Sequence, residues 1–338
     1  VADRADALRI DHFVHVSREG SRGPYLVDLA KESGLVITDM VDLQPWKKWA
    51  EKVSEVCCLV EVDSHCVLPR PVFGKSMDRP FKFRKATENE MRARVGRNWP
   101  IFRDEVKRMP ESWNPPFEPV DVRQELSNDG GAELLSKCDI DPTVVAVTGV
   151  TGGSSYAIEH WENWCDSGIR SYHMKRNNAA LKDGVSRMSP WIHYGMISTT
   201  RMVRDASSIG GKGAEKFLDE MLVFREHAQH HVHDKDTPED WVNIPGWAIS
   251  SWNDRDPEVS ELSPIELERG RSGDRLWDSA QTGLVRQGTM HNNVRMTWGK
   301  AFAGWRRDAE EAMHLALEVN DRFALDGRDP SSIAGVQW

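Results

Sequence analysis

From Gly152 to the last residue, runs of β-branched residues are scarce and apolar side chains recur at helical spacing instead of alternating. That pattern is hard to lay into a sheet, and it predicts an all-α domain over residues 151–338. Breaks at Gly210 to Gly213, Pro238 to Pro245, Asp256 to Pro257 and Gly270 to Gly273 divide it into separate helices. The stretch 276–338 is the most explicit. There a turn, Gln287-Gly288-Thr289, separates one helix from a long one carrying Arg295, Trp298, Lys300 and Trp305. At about 3.6 residues per turn and about 1.5 Å rise, Trp298 and Trp305 share a face about 10 Å apart along the axis. Trp277, one helix back, is placed to join them as a third member. Taken alone, these indoles read first as core aromatics of an amphipathic helix.

The opening of the chain has a different texture. Ala7 to Val16 is apolar enough for a strand, and Pro24 to Ser33 reads as a helix opened by Pro and closed by Gly34. Leu35 to Thr38 reads as a buried strand, Asp42 to Glu55 as a helix and Val56 to Val62 as a third strand. Strands alternating with helices imply parallel pairing with right-handed crossovers, so residues 1–70 are expected to form an α/β unit with a partial Rossmann-like sheet. No GxGxxG follows any of these strands, and a dinucleotide fingerprint is absent. Residues 71–150, rich in Pro and charge, read as an interdomain connector with a helix from Glu88 to Val95. The basic run Lys82 to Arg97 reads as solvated linker, with a contact to DNA as the other possibility.

Composition sets outer bounds. A length of 338 residues with 39% hydrophobic residues suits a two-domain globular chain. No apolar run of about 18 residues occurs, so no membrane span is expected. The start, VADRADALRI, lacks the pattern of a secretory signal, and a first residue other than Met suggests a fragment or a processed chain. Five cysteines without a CxxC pair indicate neither a disulfide framework nor a zinc ribbon, which points to a reducing, intracellular compartment. Cytoplasm, nucleus and organelle are not distinguished. A net charge of −9 argues against gripping nucleic acid with the whole surface, so any such contact has to be a local basic patch.

Two polar groupings stand out. Ser186 and Ser189, followed by Pro190, fit an anion seat where unpaired N–H groups open a helix; the same residues also fit an ordinary cap. His227, His230 and His231 share a helical face, a crude metal-site pattern. With no acid or cysteine fixed beside them by sequence, a solvated polar helix end or imidazoles on phosphates is the preferred reading, and no metal site is expected.

Five phrases then resemble one family. They are LWDSAQ (Leu276 to Gln281), MHNNVRMTW (Met290 to Trp298), NDRFALDGRDP (Asn320 to Pro330) closing on Gly335 to Trp338, SRMSPWIHYGMIS (Ser186 to Ser198) and FLDEMLVFRE (Phe217 to Glu226). In family order over about half the chain, they resemble the DNA photolyases and cryptochromes, most closely the class II cyclobutane pyrimidine dimer photolyases. The resemblance implies that the helical half binds FAD and that residues 1–70 are the later part of the family's α/β domain. Opening strands would then be missing, that region would be weakly stable, and an antenna chromophore stays undetermined.

The same resemblance implies roles for residues. Tyr172, Val185, Ser186, Arg187, Met188 and Ser189 would hold the flavin and its diphosphate. Arg295 and Asp326 would form a salt bridge beside the ring, and Asn320 would face the ring nitrogen that is protonated on reduction. Trp277, Trp298 and Trp305 would relay electrons from the surface. Glu226 would hydrogen-bond the lesion, with Asn292, Met296 and Trp338 packed around it. The implied activity is blue-light repair of pyrimidine dimers in DNA by a monomeric enzyme acting on a flipped-out target, as base-flipping enzymes, photolyases among them, do. A cryptochrome-like photoreceptor without repair activity is the alternative, and a helical scaffold without cofactor a third reading. The sequence departs from the family where HAQHHVHD (His227 to Asp234) replaces an aromatic one turn after Glu226, at Asn292, where class II members often carry Gly, and at Trp338, beyond which the family normally continues.

Overall fold

The computed structural model describes residues 2–97, 113–255 and 261–338. The expected break at Asp256 to Pro257 and part of the expected connector lie outside the described residues. The chain divides into two compact units, one of residues 1–62 and 98–145, the other of residues 63–97 and 146–338.

In the first unit a short helix, α1 (Ala2–Ala7), precedes the segment expected to be the first strand, and that segment forms no strand. Its larger side chains go instead into ring contacts. Phe13 packs on Trp113 with centroids 5.4 Å apart, and His15 lies between Tyr25 and Phe117 at 4.9 and 5.1 Å. The rest of the alternation is as expected: α2 (Tyr25–Glu32), β1 (Val36–Asp39), α3 (Trp46–Ser54) and β2 (Leu59–Val62). β1 and β2 pair in parallel, Val36 opposite Leu59 through Asp39 opposite Val62. This ladder is the whole sheet among the described residues. The expected burial fails: Ile37 is 65% exposed, because two strands alone leave both faces of the ladder near solvent. Two further helices, Val122–Asp129 and Ala132–Ser136, lie in residues read as connector.

The second unit is helical, with no strand among its described residues. Its first core forms where α4 (Pro80–Val95), α5 (Ser154–Ser167), α6 (Thr199–Ile209) and α7 (Gly211–Asp219) meet around Phe83, Trp161 and Met202. Ser198 caps α6 by accepting from the Arg201 N–H, and Met202, Val203 and Ala206 put its apolar stripe inward. A Cβ at Gly213 would sit 2.1 Å from the Ile169 carbonyl oxygen, so only glycine allows that close crossing.

The second core is built from α9 (Arg275–Gln287), α10 (Asn292–Trp305), α11 (Ala309–Phe323) and α12 (Pro330–Gln337), around Trp277, Leu284, Trp298, Phe302 and Val319. Each of these large apolar side chains, fully buried, contributes about 1.5–3 kcal/mol. Asp274, Asp308 and Asp329 cap α9, α11 and α12 with their carboxylates. Gly288 closes α9 at φ 64°, and a Cβ there would meet Leu325 at 2.6 Å. Between the two cores runs a wider π-helical stretch, Glu220–Arg225, continuing into α8 (Glu226–His233). No described helix is long and apolar enough to cross a membrane. A small parallel sheet near the N-terminus followed by a helical body is the fold class expected from the sequence.

Candidate active site and cofactor cavity

A cavity of about 960 Å³ opens in the helical unit, at the upper end of the size range of ligand pockets. The residues that the resemblance assigns to flavin converge on it. Tyr172, Val185, Ser186, Arg187, Met188, Ser189, Arg295 and Asp326 all line the wall. So do Asn292, Met296 and Trp338 from the expected lesion contacts, and Trp298 from the tryptophans. Asn320, Glu226, Trp277 and Trp305 are not among the lining residues.

The wall is held by two buried ion pairs. Arg295 clamps Asp326 with both terminal nitrogens, at 2.7 and 3.2 Å, and also donates to the Ser332 hydroxyl at 3.3 Å. Asn320, completely buried, stands behind that hydroxyl: its Nδ2 donates to Ser332 Oγ at 3.0 Å. Asn320 therefore reaches the cavity through Ser332. The second pair was not foreseen from sequence. Arg225 donates to both oxygens of Asp329 at 2.8 and 3.1 Å and to Ser331 at 2.9 Å. Burial alone would raise the Asp329 carboxyl, but the Arg225 charge and the hydrogen bonds around it hold it far below the usual carboxylate range. Both residues sit inside phrases already singled out, VFRE and GRDP, which was the available signal. Arg225 Nε, buried on this wall, has no hydrogen-bond partner.

In a chain of net charge −9, this wall is basic. Arg187, Arg225, Arg255, Arg295 and Lys300 face two acids, Asp326 and Asp329. Arg255 is spoken for by the carbonyls of Ala303, Arg306 and Arg307 and lies over the Trp252 ring. Arg187 and Lys300 have no carboxylate partner among the described residues. Arg187 also takes a positive φ of 54°, a conformation that costs a residue with a Cβ about 1 kcal/mol or more and is kept mostly at functional loops. The N-terminus of α10 opens on the same space, with His291 capping it through Asn293 N. Small residues, among them Gly283, Gly299, Ala312 and Ala316, line the cavity as well. A flat group with an anionic tail fits this donor set.

The tryptophans are in contact, but not in the order expected from spacing. Trp277 is the middle member: its ring stacks on Trp298 at 6.2 Å and 4°, and meets Trp305 edge-on at 4.8 Å. Each buried indole N–H is satisfied, Trp277 donating to the Trp298 carbonyl at 3.0 Å and Trp298 to Gln281 Oε1 at 2.9 Å. The array runs from the cavity wall at Trp298 to the half-buried Trp305.

The Glu226 carboxylate accepts the backbone N–H groups of Val67 at 2.7 Å and Leu68 at 3.1 Å. Burial pushes it up to about 8, against the lowering effect of those two donors. The histidine face is not solvated as expected. His227 donates from Nε2 to the Met77 carbonyl at 2.7 Å and His230 to that of Leu68 at 3.1 Å, both rings being buried. Burial lowers both below the usual histidine range, His230 to about 4. The helix end is polar because it ties down the 65–77 segment, which the sequence alone did not place.

No family model matches the chain. It is 35% identical over 202 residues to a deoxyribodipyrimidine photo-lyase of Methanothermobacter thermautotrophicus, covering 59% of this chain and 44% of that one. With a deoxyribodipyrimidine photo-lyase of Potorous tridactylus it shares 27% identity over 319 residues, covering 90% of this chain and 56% of the other. The chain thus spans about half the length of these curated relatives. Its fold is similar to that of a bacterial class III photolyase from Agrobacterium tumefaciens, with a TM-score of 0.65 at 18% identity over 93% of this chain and 63% of that one. By sequence and by fold, the chain belongs to the photolyase and cryptochrome family.

Proposed function

We propose that the cavity binds FAD and that the protein is a light-driven deoxyribodipyrimidine photo-lyase, repairing cyclobutane pyrimidine dimers in DNA. The observation that carries this reading is the convergence of the Ser186–Ser189 loop and the Arg295–Asp326 clamp on one basic-walled cavity in a chain whose relatives are photo-lyases. When bound, the reduced flavin supplies a single electron to the substrate on blue-light excitation and receives it back.

The chain's own residues hold and shield that exchange. Ser186, Ser189 and Arg187 seat the diphosphate, where hydroxyls and a guanidinium answer phosphate oxygens. The Arg295–Asp326 clamp fixes a charged wall beside the ring, and Ser332, oriented by Asn320, presents a hydroxyl able to donate or accept there. Asn292, 67%-exposed Trp338 and Met296 form an amphipathic rim for a flipped-out pyrimidine dimer. Trp298, Trp277 and Trp305 pass electrons inward in that contact order, reversed.

The test is purification in dim light followed by absorption spectroscopy and illumination with ultraviolet-damaged DNA. Bound flavin and blue-light-dependent loss of dimers support the proposal. A protein that stays colourless after incubation with FAD overturns the cofactor assignment. A flavin-loaded protein that leaves dimers intact overturns repair and leaves the photoreceptor reading.

A further inference from the structure

We propose that Cys66, Glu226 and His230 form a site for a divalent zinc-type cation, outside the cavity described above. The sequence suggests a metal only through its histidines, and the fold supplies what was lacking. A thiol sulfur, a carboxylate oxygen and a ring nitrogen lie within 4.8 Å of one another, on three residues that are 5%, 3% and 2% exposed. None of the three lines the flavin cavity.

The donors are brought together from distant parts of the sequence. Glu226 and His230, one helical turn apart on α8, project from the same face. Cys66 approaches on the segment whose next two backbone N–H groups are already bonded to Glu226. Those bonds fix the carboxylate and leave it lone pairs. His230 is fixed in the same way: Nε2–H donates to the Leu68 carbonyl, the outer bond that metal-ligating imidazoles commonly make, and in the neutral ring Nδ1 keeps its lone pair.

Chemistry and charge agree. Sulfur, imidazole and carboxylate together suit a borderline cation such as zinc, and calcium and magnesium, which prefer all-oxygen sites, are disfavoured. A thiolate and a carboxylate cancel a double positive charge, so the loaded site adds no net charge to the interior. Asp63, also nearby, is committed to Arg70 at 2.8 Å and is not a fourth ligand. The fourth position falls to water. Metal–donor distances of about 2.0–2.3 Å require the donors to draw in to roughly 3.5 Å, a side-chain adjustment within a packed cluster. The bound ion would tie α8 to the 65–77 segment.

Tag-free full-length protein, stripped with chelator, is titrated with cobalt(II) chloride and then zinc chloride. We expect about one cobalt per chain, with a thiolate-to-cobalt band in the near ultraviolet and visible bands of tetrahedral intensity, all displaced by zinc. Cys66→Ser should lose the near-ultraviolet band and His230→Asn should weaken binding about tenfold or more, whereas Cys165→Ser should change neither. Absence of tight cobalt binding overturns the proposal, as does binding that Cys66→Ser and His230→Asn leave unaltered. Should Glu226→Gln fold poorly, Cys66→Ser, close to isosteric, still decides. The outcome is independent of flavin, since a colourless protein can still bind cobalt and a yellow one can fail to.

Discussion

α10 and α8 both carry a row of aromatic or polar side chains at helical spacing, yet they differ in where the partners come from. On α10, Trp298 and Trp305 meet Trp277 from the preceding helix, α9, across the short turn at Gly288. On α8, Glu226, His227 and His230 all bond backbone atoms of the 65–77 segment, about 150 residues earlier in the chain. Helical periodicity determines which side chains share a face. It says nothing about a distant segment that will cover that face, so the first array could be anticipated and the second could not.

The sharpest way to break the comparison is to remove the tryptophan at the cavity wall. Trp298→Phe keeps most of the buried volume but removes the oxidisable indole between the cavity and Trp277. If the array carries electrons, photoreduction of bound flavin should fall by at least about tenfold, corresponding to about 1.4 kcal/mol or more in the barrier. Flash photolysis with an external reductant measures it, and a rate equal to the parent's would remove the relay. Trp277→Phe should be as damaging, because Trp277 is the middle contact.

A thermodynamic effect, not a kinetic one, is expected at the second ion pair of the cavity wall. Arg225→Met leaves Asp329 buried opposite an apolar chain, and breaking a buried pair from one side costs about 3–5 kcal/mol. Denaturant unfolding at neutral pH should register that loss. The pH dependence follows with a definite sign. Because Asp329 is depressed in the folded protein, its contribution is fully present above its unfolded value of about 3.9 and is lost as pH falls below that toward the folded value. Arg225→Met should therefore flatten the acid limb of the stability profile. An unchanged acid limb would mean that Arg225 is not what holds the carboxylate ionised.

Legibility in the sequence followed the same division. The helical half and the stop at Gly288 rest on local rules, and the structure has them. The convergence of Ser189, Arg295 and Asp326 on one cavity was readable through the family phrases. The strand expected from Ala7 failed because apolar content does not distinguish a ladder from a ring cluster, and Phe13 and His15 took the cluster. Arg225–Asp329, Ser332 before Asn320, and Cys66 beside His230 depend on tertiary approach, for which spacing provides no signal.

A smaller effect is expected at Gln281, which accepts from the Trp298 indole and donates to the Glu268 carbonyl at 3.0 Å while fully buried. Gln281→Leu leaves a buried donor and acceptor unpaired and should cost about 1–3 kcal/mol. Its value for the comparison lies in a second readout. Freed from Gln281, the Trp298 ring should turn away from its 4° stacking on Trp277, slowing photoreduction without abolishing it. Loss of stability with no change in photoreduction would show that the stack is held by packing alone.

The smallest effect concerns spacing without burial. On α4, Glu88 and Arg92 are one turn apart, like Glu226 and His230 on α8, and bonded at 2.8 Å, but their side chains are 58% and 74% exposed. Water and salt screen such a pair, and holding two long side chains in place offsets most of the attraction, leaving about 0.3–0.5 kcal/mol. Arg92→Ala should therefore lower the unfolding free energy, measured by denaturant titration, by no more than that. A loss several times larger would mean that helical spacing stabilises this protein by itself, and the contrast between α10 and α8, in which burial by a partner decides, would no longer hold.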